Sequence, residues 1–242
     1  MANPKAAIEP ERGFSALLDA VVLESTDVSE FLTDLSVLAA ARLSPPGTEL
    51  ECSTTLIRPR KAGTVAGSSP RAARMDEFQY RAGEGPCLEA ARTQQTVYAG
   101  DLGRETRWPG YRKATAGSGI GSVLGVPIPL DGEAAASLNL YSAFPDGFDA
   151  KARQAAESFA RQASRALRLA VRIAALTDTA QNLRVAMRSR TTINLAAGIV
   201  MAQNRCSHET AIDILMKASS IRNTKLREVA TAVVASAAQK GR

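Results

Sequence analysis

"AAGIVMAQNRCSHET", residues 196–210, is an apolar helical run that stops at a small polar corner and then starts again. Ala196, Ala197, Ile199, Val200 and Met201 supply the apolar surface, and Gln203, Asn204 and Arg205 end it. Ser207 is suited to cap a following helix, in which Ala211, Ile212, Leu215 and Met216 keep helical spacing. A second corner, "SIRNT" at 220–224, precedes Leu226, Val229, Ala230, Val233 and Val234, with Asn223 or Thr224 as the next cap. Two short connections behind a longer helix predict a three-helix bundle whose corners carry Arg205, Arg222, Asn223, Lys225 and Arg227.

Upstream of this bundle the chain is helical for a long way. No proline follows Pro145, and Ala166, Leu169, Ile173, Leu176, Ala180, Leu183 and Met187 step by alternating threes and fours. That is a heptad seam, on a helix of roughly 50 residues and about 75 Å. Such a seam needs a partner, and the reading favoured here is a parallel homodimer through Leu169, Ile173, Leu176, Leu183 and Met187.

The N-terminal half has a different texture. Residues 1–13 read as a tail and Phe14–Leu23 as a short helix. Asp27 with Glu30 resembles a capping box opening a helix through Phe31, Leu32 and Leu35, which "SPPG" (44–47) breaks. "TELECSTTLI" alternates Leu50, Cys52, Thr54 and Leu56 with Glu49, Glu51, Ser53 and Thr55, the pattern of a half-buried strand. "GTVAGS" and "TVYAGDL" read as strands, and "SVLGVPIPL" and "AAASLNLYS" as two more around the turn signal Asp131-Gly132. Pro86 is placed to open a helix, and "RWPGYRKATAGSGI" to form a short one. Antiparallel strands with flanking helices make the fold class α+β: a sheet domain, a long coiled-coil linker helix, and a C-terminal three-helix bundle.

Charge divides at the same place. Residues 1–147 hold 14 Lys and Arg against 18 Asp and Glu, a net of −4; residues 148–242 hold 16 against 6, a net of +10. A basic half suggests a polyanion partner. No apolar run approaches the roughly 20 residues of a membrane span, and "MANPKAAIEPERGF" lacks a signal-peptide core, so no membrane partner and a cytoplasmic location are expected. Three cysteines without a C-x-x-C pair and one histidine, His208, argue against a metal site. No cofactor is expected.

The C-terminal stretch "RSRTTINLAAGIVMAQNRCSHETAIDILMKASSIRNTKLREVATAVV" resembles the ANTAR domain, an RNA-binding module of bacterial transcription antitermination regulators. Arg190, Ile193, Ala196, Gly198, Met201, Ser207, Ala211, Leu215, Ser219, Asn223, Leu226 and Ala230 carry the likeness. Many members have lysine before the glycine, where this chain has Ala197. Residues 28–166 resemble a GAF domain, a small sensory α+β fold, through "GEGPCLEAAR", "DLGRETRWPGY", "GSVLGVPIPL" and "SLNLYS". The division implied is a tail (1–13), a GAF domain (14–166), a linker helix (149–190) and an ANTAR domain (181–242).

The resemblance implies a dimeric sensory regulator that binds paired RNA hairpins by their loops and promotes antitermination when the GAF domain receives a small-molecule or protein signal. Arg190, Gln203, Asn204, Arg205, Ser219, Arg222, Asn223, Lys225 and Arg227 are the candidate RNA contacts: cations for phosphates, amides and hydroxyls for base edges. No aromatic residue occurs after Phe159, so arginine planes would have to stack on bases. Tyr80, Cys87, Trp108 and Tyr111 are candidates to line a GAF ligand pocket, or ordinary core. Cys87 is either a redox thiol at a helix start or a small buried hydrophobe. The carboxylate pairs Glu84/Glu89 and Asp101/Glu105 read better as surface charges than as catalytic groups, and no enzyme is expected. The rival readings are a DNA-binding regulator and, with only Cys52 and Cys87 to serve it, a GAF-fold methionine sulfoxide reductase.

Overall fold

The computed structural model describes residues 4–58, 63–132 and 134–240. The chain forms two compact units, residues 1–174 and 175–242. The first is a five-stranded, wholly antiparallel sheet in the order β2-β1-β5-β4-β3, made of β1 (Glu51–Ile57), β2 (Thr64–Gly67), β3 (Val97–Ala99), β4 (Ser122–Ile128) and β5 (Ala135–Ser142). The fold class is α+β, as expected.

Both faces of the sheet are covered. On one lie α1 (Pro4–Glu24), α2 (Val28–Leu43) and the first turns of α6 (Ala150–Asn204). There Phe14, Leu18, Phe31, Leu32 and Leu35 pack with Cys52, Leu56, Leu138 and Leu140 of the strands and with Phe159, Ala163 and Leu167 of α6. On the other lie α3 (Pro70–Ala82), α4 (Pro86–Thr93) and α5 (Pro109–Ala114), whose Ala72, Met75, Cys87, Ala90 and Tyr111 meet Val123 and Tyr141. Because side chains alternate along a strand, neighbours such as Leu138 and Asn139, both fully buried, serve opposite cores.

Local chemistry sets several boundaries. Asp27 caps α2 by accepting the Ser29 and Glu30 N–H groups, while Glu30 takes the Thr26 N–H and hydroxyl at 2.6 Å. The capping box therefore closes one residue earlier than the sequence suggests. Ser69 caps α3, whose N-terminal Pro70 has no N–H to lose. Glu84 reaches across to accept the Gly110 N–H at 2.6 Å, doing for α5 what no local side chain does. Gly125 on β4 lets α4 lie directly on the sheet: a Cβ there would stand 2.9 Å from the Pro86 carbonyl oxygen and 3.1 Å from Ala90 Cβ.

Four expectations are corrected. The tail expected over residues 1–13 is helical from Pro4, in one helix with the segment expected at Phe14–Leu23. Strand β1 is not half-buried; Ser53 and Thr55 are as enclosed as Cys52 and Leu56, because α3, absent from the sequence reading, roofs their face. Ala166 is 2% exposed within the first core, so it packs inside the sheet domain and is not part of an outward-facing stripe. Asn223 does not open the last helix. It closes the one before, in the left-handed region at φ 49°.

The second unit continues α6, a single helix of 55 residues, with α7 (His208–Arg222) and α8 (Leu226–Lys240). Ala196, Ala197, Val200, Ala211, Leu215, Val229 and Ala230 form its core. Ala197 is fully buried, so no lysine could stand there without disrupting that core. Gly198 has nothing within 4 Å of an added Cβ.

Replacing Gly125 by valine is expected to destabilise the first unit by about 1–3 kcal/mol through overpacking against α4. A lowered urea midpoint checks this, and unchanged stability would show that α4 shifts freely.

Candidate functional site

The strongest polar constellation in the first unit is one that the sequence reading missed. Asp76 on α3 is 1% exposed and forms no ion pair among the described residues. Its carboxylate accepts hydrogen bonds from the hydroxyls of Ser53 (2.7 Å), Thr55 (3.1 Å) and Tyr141 (2.7 Å) and from the amides of Asn139 (3.0 Å) and Gln79 (3.1 Å). Strand register assembles the donors: Ser53 pairs directly with Asn139 across β1 and β5, with Thr55 two residues on. Burial pushes the Asp76 carboxyl above its ordinary value, against the opposing pull of the donors from Ser53, Tyr141, Thr55 and Asn139. The signal was present in the 3,1,3 spacing of Ala72, Met75, Asp76 and Gln79 behind Ser69-Pro70.

Three of the four candidate pocket residues, Cys87, Trp108 and Tyr111, come together in this second core; Tyr80 is half-buried, with its hydroxyl within electrostatic reach of Asp76 and Cys87 and its ring against Gly63. Trp108 donates its indole N–H to Glu89 at 3.0 Å and lies under the Arg107 guanidinium at 4.2 Å. Burial pushes Tyr80 up to about 12. The Cys87 Sγ lies 3.9 Å from the Tyr141 hydroxyl, and burial, followed by the neighbouring Asp76 charge, pushes its thiol well above the usual range. A helix start does not make this sulfur a thiolate. The carboxylates weighed as catalytic pairs have other duties: Glu105 is held low by the Arg107 guanidinium, and Asp101 pairs with Arg104 at 3.4 Å. Among the described residues no group of histidine, cysteine and carboxylate side chains could hold a metal.

In the second unit the candidate RNA contacts fall into two groups. At the corner after α6, Arg205 takes a left-handed conformation (φ 50°), Asn204 donates to the Val200 carbonyl at 3.0 Å, and Ser207 accepts the Thr210 N–H. At the corner after α7, the Asn223 N–H bonds the Ser219 and Ser220 carbonyls, and the Ser219 hydroxyl donates to the Thr224 carbonyl at 2.6 Å. Ser207 and Ser219 are thus occupied in building corners, whereas the Asn223 amide makes no hydrogen bond among the described residues. The 15 residues of α7 separate the corners by about 22 Å at 1.5 Å per residue. Gln203, Asn204 and Arg205 lie at one end, and Ser219, Arg222, Asn223, Lys225 and Arg227 at the other.

Arg190 belongs with the second group. A cleft of about 370 Å³, lined by Arg188, Ser189 and Thr192 of α6 and Arg227, Glu228 and Thr231 of α8, sets that part of α6 beside the start of α8. Arg188, Arg190, Arg205, Arg222, Lys225 and Arg227 are all exposed, and none forms an ion pair among the described residues. The sequence reading passed over Arg188, Ser189, Thr192 and Thr231, although "RSRTT" holds the first three.

A family model described as GAF domain matches residues 19–168, and one described as ANTAR domain matches residues 181–234. The chain belongs to the GAF–ANTAR proteins. It joins a sensor domain to an RNA-binding antitermination domain. Solved structures resemble its GAF part at low identity. The free methionine-R-sulfoxide reductase of Neisseria meningitidis, in complex with its substrate, is 19% identical over 72% of this chain and 96% of that one, with a TM-score of 0.46. The GAF domain region of a putative membrane protein from Geobacter sulfurreducens is 21% identical over 59% and 93%, with a TM-score of 0.46. The N-acylhomoserine lactone dependent LuxR family factor CepR2 of Burkholderia cenocepacia is 14% identical over 69% and 98%, with a TM-score of 0.47. No curated protein matches the chain. The activities of such neighbours do not transfer with a shared fold.

The buried GAF carboxylate gives a measurable signature. A carboxyl whose folded value is raised contributes stability that is fully present below the ordinary carboxylate range and lost as pH rises through the folded value. Wild-type stability should therefore fall relative to Asp76→Asn as pH climbs above about 4, in paired urea titrations. Asp76→Ala, which leaves five donors without their acceptor, should cost at least about 3 kcal/mol. Parallel pH profiles for wild type and Asp76→Asn would show that the carboxyl is not raised.

Proposed function

We propose that this GAF–ANTAR chain is a homodimeric regulator without catalytic activity. Its bundle binds stem-loop RNA and favours antitermination when its GAF domain receives a signal. The observation that carries the reading is the set of exposed cations on the ANTAR bundle, Arg188, Arg190, Arg205, Arg222, Lys225 and Arg227 among them, that form no ion pair among the described residues. Cations free of intramolecular partners are available to neutralise phosphates, and each contact releases condensed counterion. The finer assignment gives Arg190, Arg205, Arg222, Lys225 and Arg227 to phosphates, and Gln203, Asn204 and Asn223, with free or half-free amides, to base edges. Ser219 acts by holding its corner.

The dimer reading rests on the outward face of α6. Leu169, Ile173, Leu176, Leu183 and Met187 are 42%, 43%, 64%, 60% and 70% exposed at heptad spacing. An apolar stripe of that period is what a parallel copy of the same helix covers. No described helix is long and apolar enough to cross a membrane. The non-catalytic reading is supported by Cys52 and Cys87, both buried with thiols pushed upward, which leaves the GAF core without an accessible sulfur nucleophile.

Two measurements test this reading. Hairpins with randomised loops are selected on the full chain, and the enriched RNA is titrated against salt beside duplex DNA of equal length. Log affinity should fall linearly with log salt, by roughly 0.7 per phosphate contact for single-stranded RNA, with RNA preferred. Equal binding of duplex DNA, or no enriched hairpin, refutes the RNA reading. For the dimer, light scattering at micromolar concentration should give twice the mass of the chain, and charged residues at Leu176, Leu183 and Met187 should return monomers. A monomeric wild type refutes the seam.

A further inference from the structure

The cleft between α6 and α8 is built from one pairing used twice. Arg188 and Thr192 stand four residues apart on α6, Arg227 and Thr231 four apart on α8, and all four side chains line the same opening. Residues at that spacing share a helix face, so each helix presents a cation and a hydroxyl together. The threonine hydroxyls are already committed. Thr192 donates its proton to the Arg188 carbonyl at 3.0 Å, and Thr231 donates to the Arg227 carbonyl at 2.8 Å. With its one proton used, each oxygen offers only lone pairs to the cleft. Glu228 on the same rim adds an acceptor and a negative charge.

This combination does not suit a phosphate alone. An anion would gain from the arginines and from the Ser189 hydroxyl on the same rim, gain nothing from the two threonine hydroxyls that cannot donate to it, and be repelled by the Glu228 carboxylate. It suits a phosphate with a hydrogen-bond donor beside it. A ribonucleotide has that arrangement, since its 2′-hydroxyl is a donor set next to the backbone phosphate, and a deoxynucleotide lacks it. We propose that the α6–α8 cleft is a ribose-phosphate subsite, in which Arg188 and Arg227 clamp one backbone phosphate and Thr192 and Thr231 accept the neighbouring 2′-hydroxyl. The subsite is where the chain tells RNA from DNA.

Size and composition agree. The cleft of about 370 Å³ is open to solvent along its length, as a site for a backbone passing across a surface requires. Arginine forks bind phosphate oxygens two at a time and so fix its orientation. Because the bundle has no aromatic side chain, stacking cannot supply the choice of nucleic acid, and the sugar edge remains the part of the backbone that differs.

The inference rests on the RNA-binding reading and is tested apart from it. The probe is the hairpin enriched on the wild-type chain, made all-ribose and with single 2′-deoxy substitutions along the loop and upper stem. One or two deoxy positions should weaken wild-type binding roughly three- to tenfold, the worth of a hydrogen bond. The Thr192→Val, Thr231→Val double variant should lose a similar factor on the all-ribose hairpin and become indifferent to deoxy substitution at those positions, the mark of a coupled pair. Arg188→Ala should weaken ribose and deoxy probes alike and reduce the salt slope by roughly 0.7. The threonines lie on exposed or half-exposed helix surface, and melting curves confirm that the variants fold. A wild type insensitive to every deoxy substitution overturns the subsite without any protein variant. So does a deoxy penalty that survives in the threonine variant, or an unchanged slope for Arg188→Ala; in each of these cases the RNA reading stands. A wild type that binds no hairpin overturns both.

Discussion

A wholly buried carboxylate must find its donors inside the fold, and Asp76 finds five, on α3, β1 and β5. This arrangement fixes the register between the central strands and the helix that roofs them. A slip of one residue between β1 and β5 would turn Ser53 or Asn139 to the opposite face and strand the charge. The same helix then offers Gln79 to the Cys87 N–H at 2.8 Å, which sets the start of α4. An apolar core of equal volume would tolerate more than one packing; this polar one tolerates few. The sensory unit is organised around that demand, with Cys87, Trp108 and Tyr111 packed in behind it.

The other face of the sheet is held differently. Small residues of α6, Ala156, Ala160, Ala163 and Ala170, allow the helix to lie against it beside Phe159 and Leu167. The same helix goes on, without interruption, to supply one third of the ANTAR bundle. Its residues therefore change duty along their length, first facing a sheet, then presenting Leu176, Leu183 and Met187 outward, then packing on α7 and α8 through Ala196, Ala197 and Val200.

Much of this was legible in the sequence, because apolar periodicity and turn chemistry are local. The long helix, Ser207 as a cap, Pro86 opening α4 and the five strands all follow from spacing within a few residues. What escaped depends on partners distant in the chain. Nothing beside Ser53 and Thr55 says that Asp76 will cover them, so β1 read as a strand with one wet face. Asn223 could serve either neighbouring helix, and only its left-handed backbone decides. The candidate RNA contacts were legible as residue types and not as a surface. The motif gathered them, whereas the return of α7 divides them between two ends and brings in Arg188, which was not among the candidate contacts.

The length of α7 has a consequence for how the bundle's charges act. At physiological ionic strength the Debye length is about 8 Å, well under the roughly 22 Å that fifteen helical residues put between the two corners. Arg205 and the cluster around Arg227 thus do not feel one another through solvent. Each end draws its own counterions and surrenders them separately. Charge changes at the two ends should therefore add as independent increments, since no shared partner links them, and sequence drift at one corner leaves the electrostatics of the other untouched.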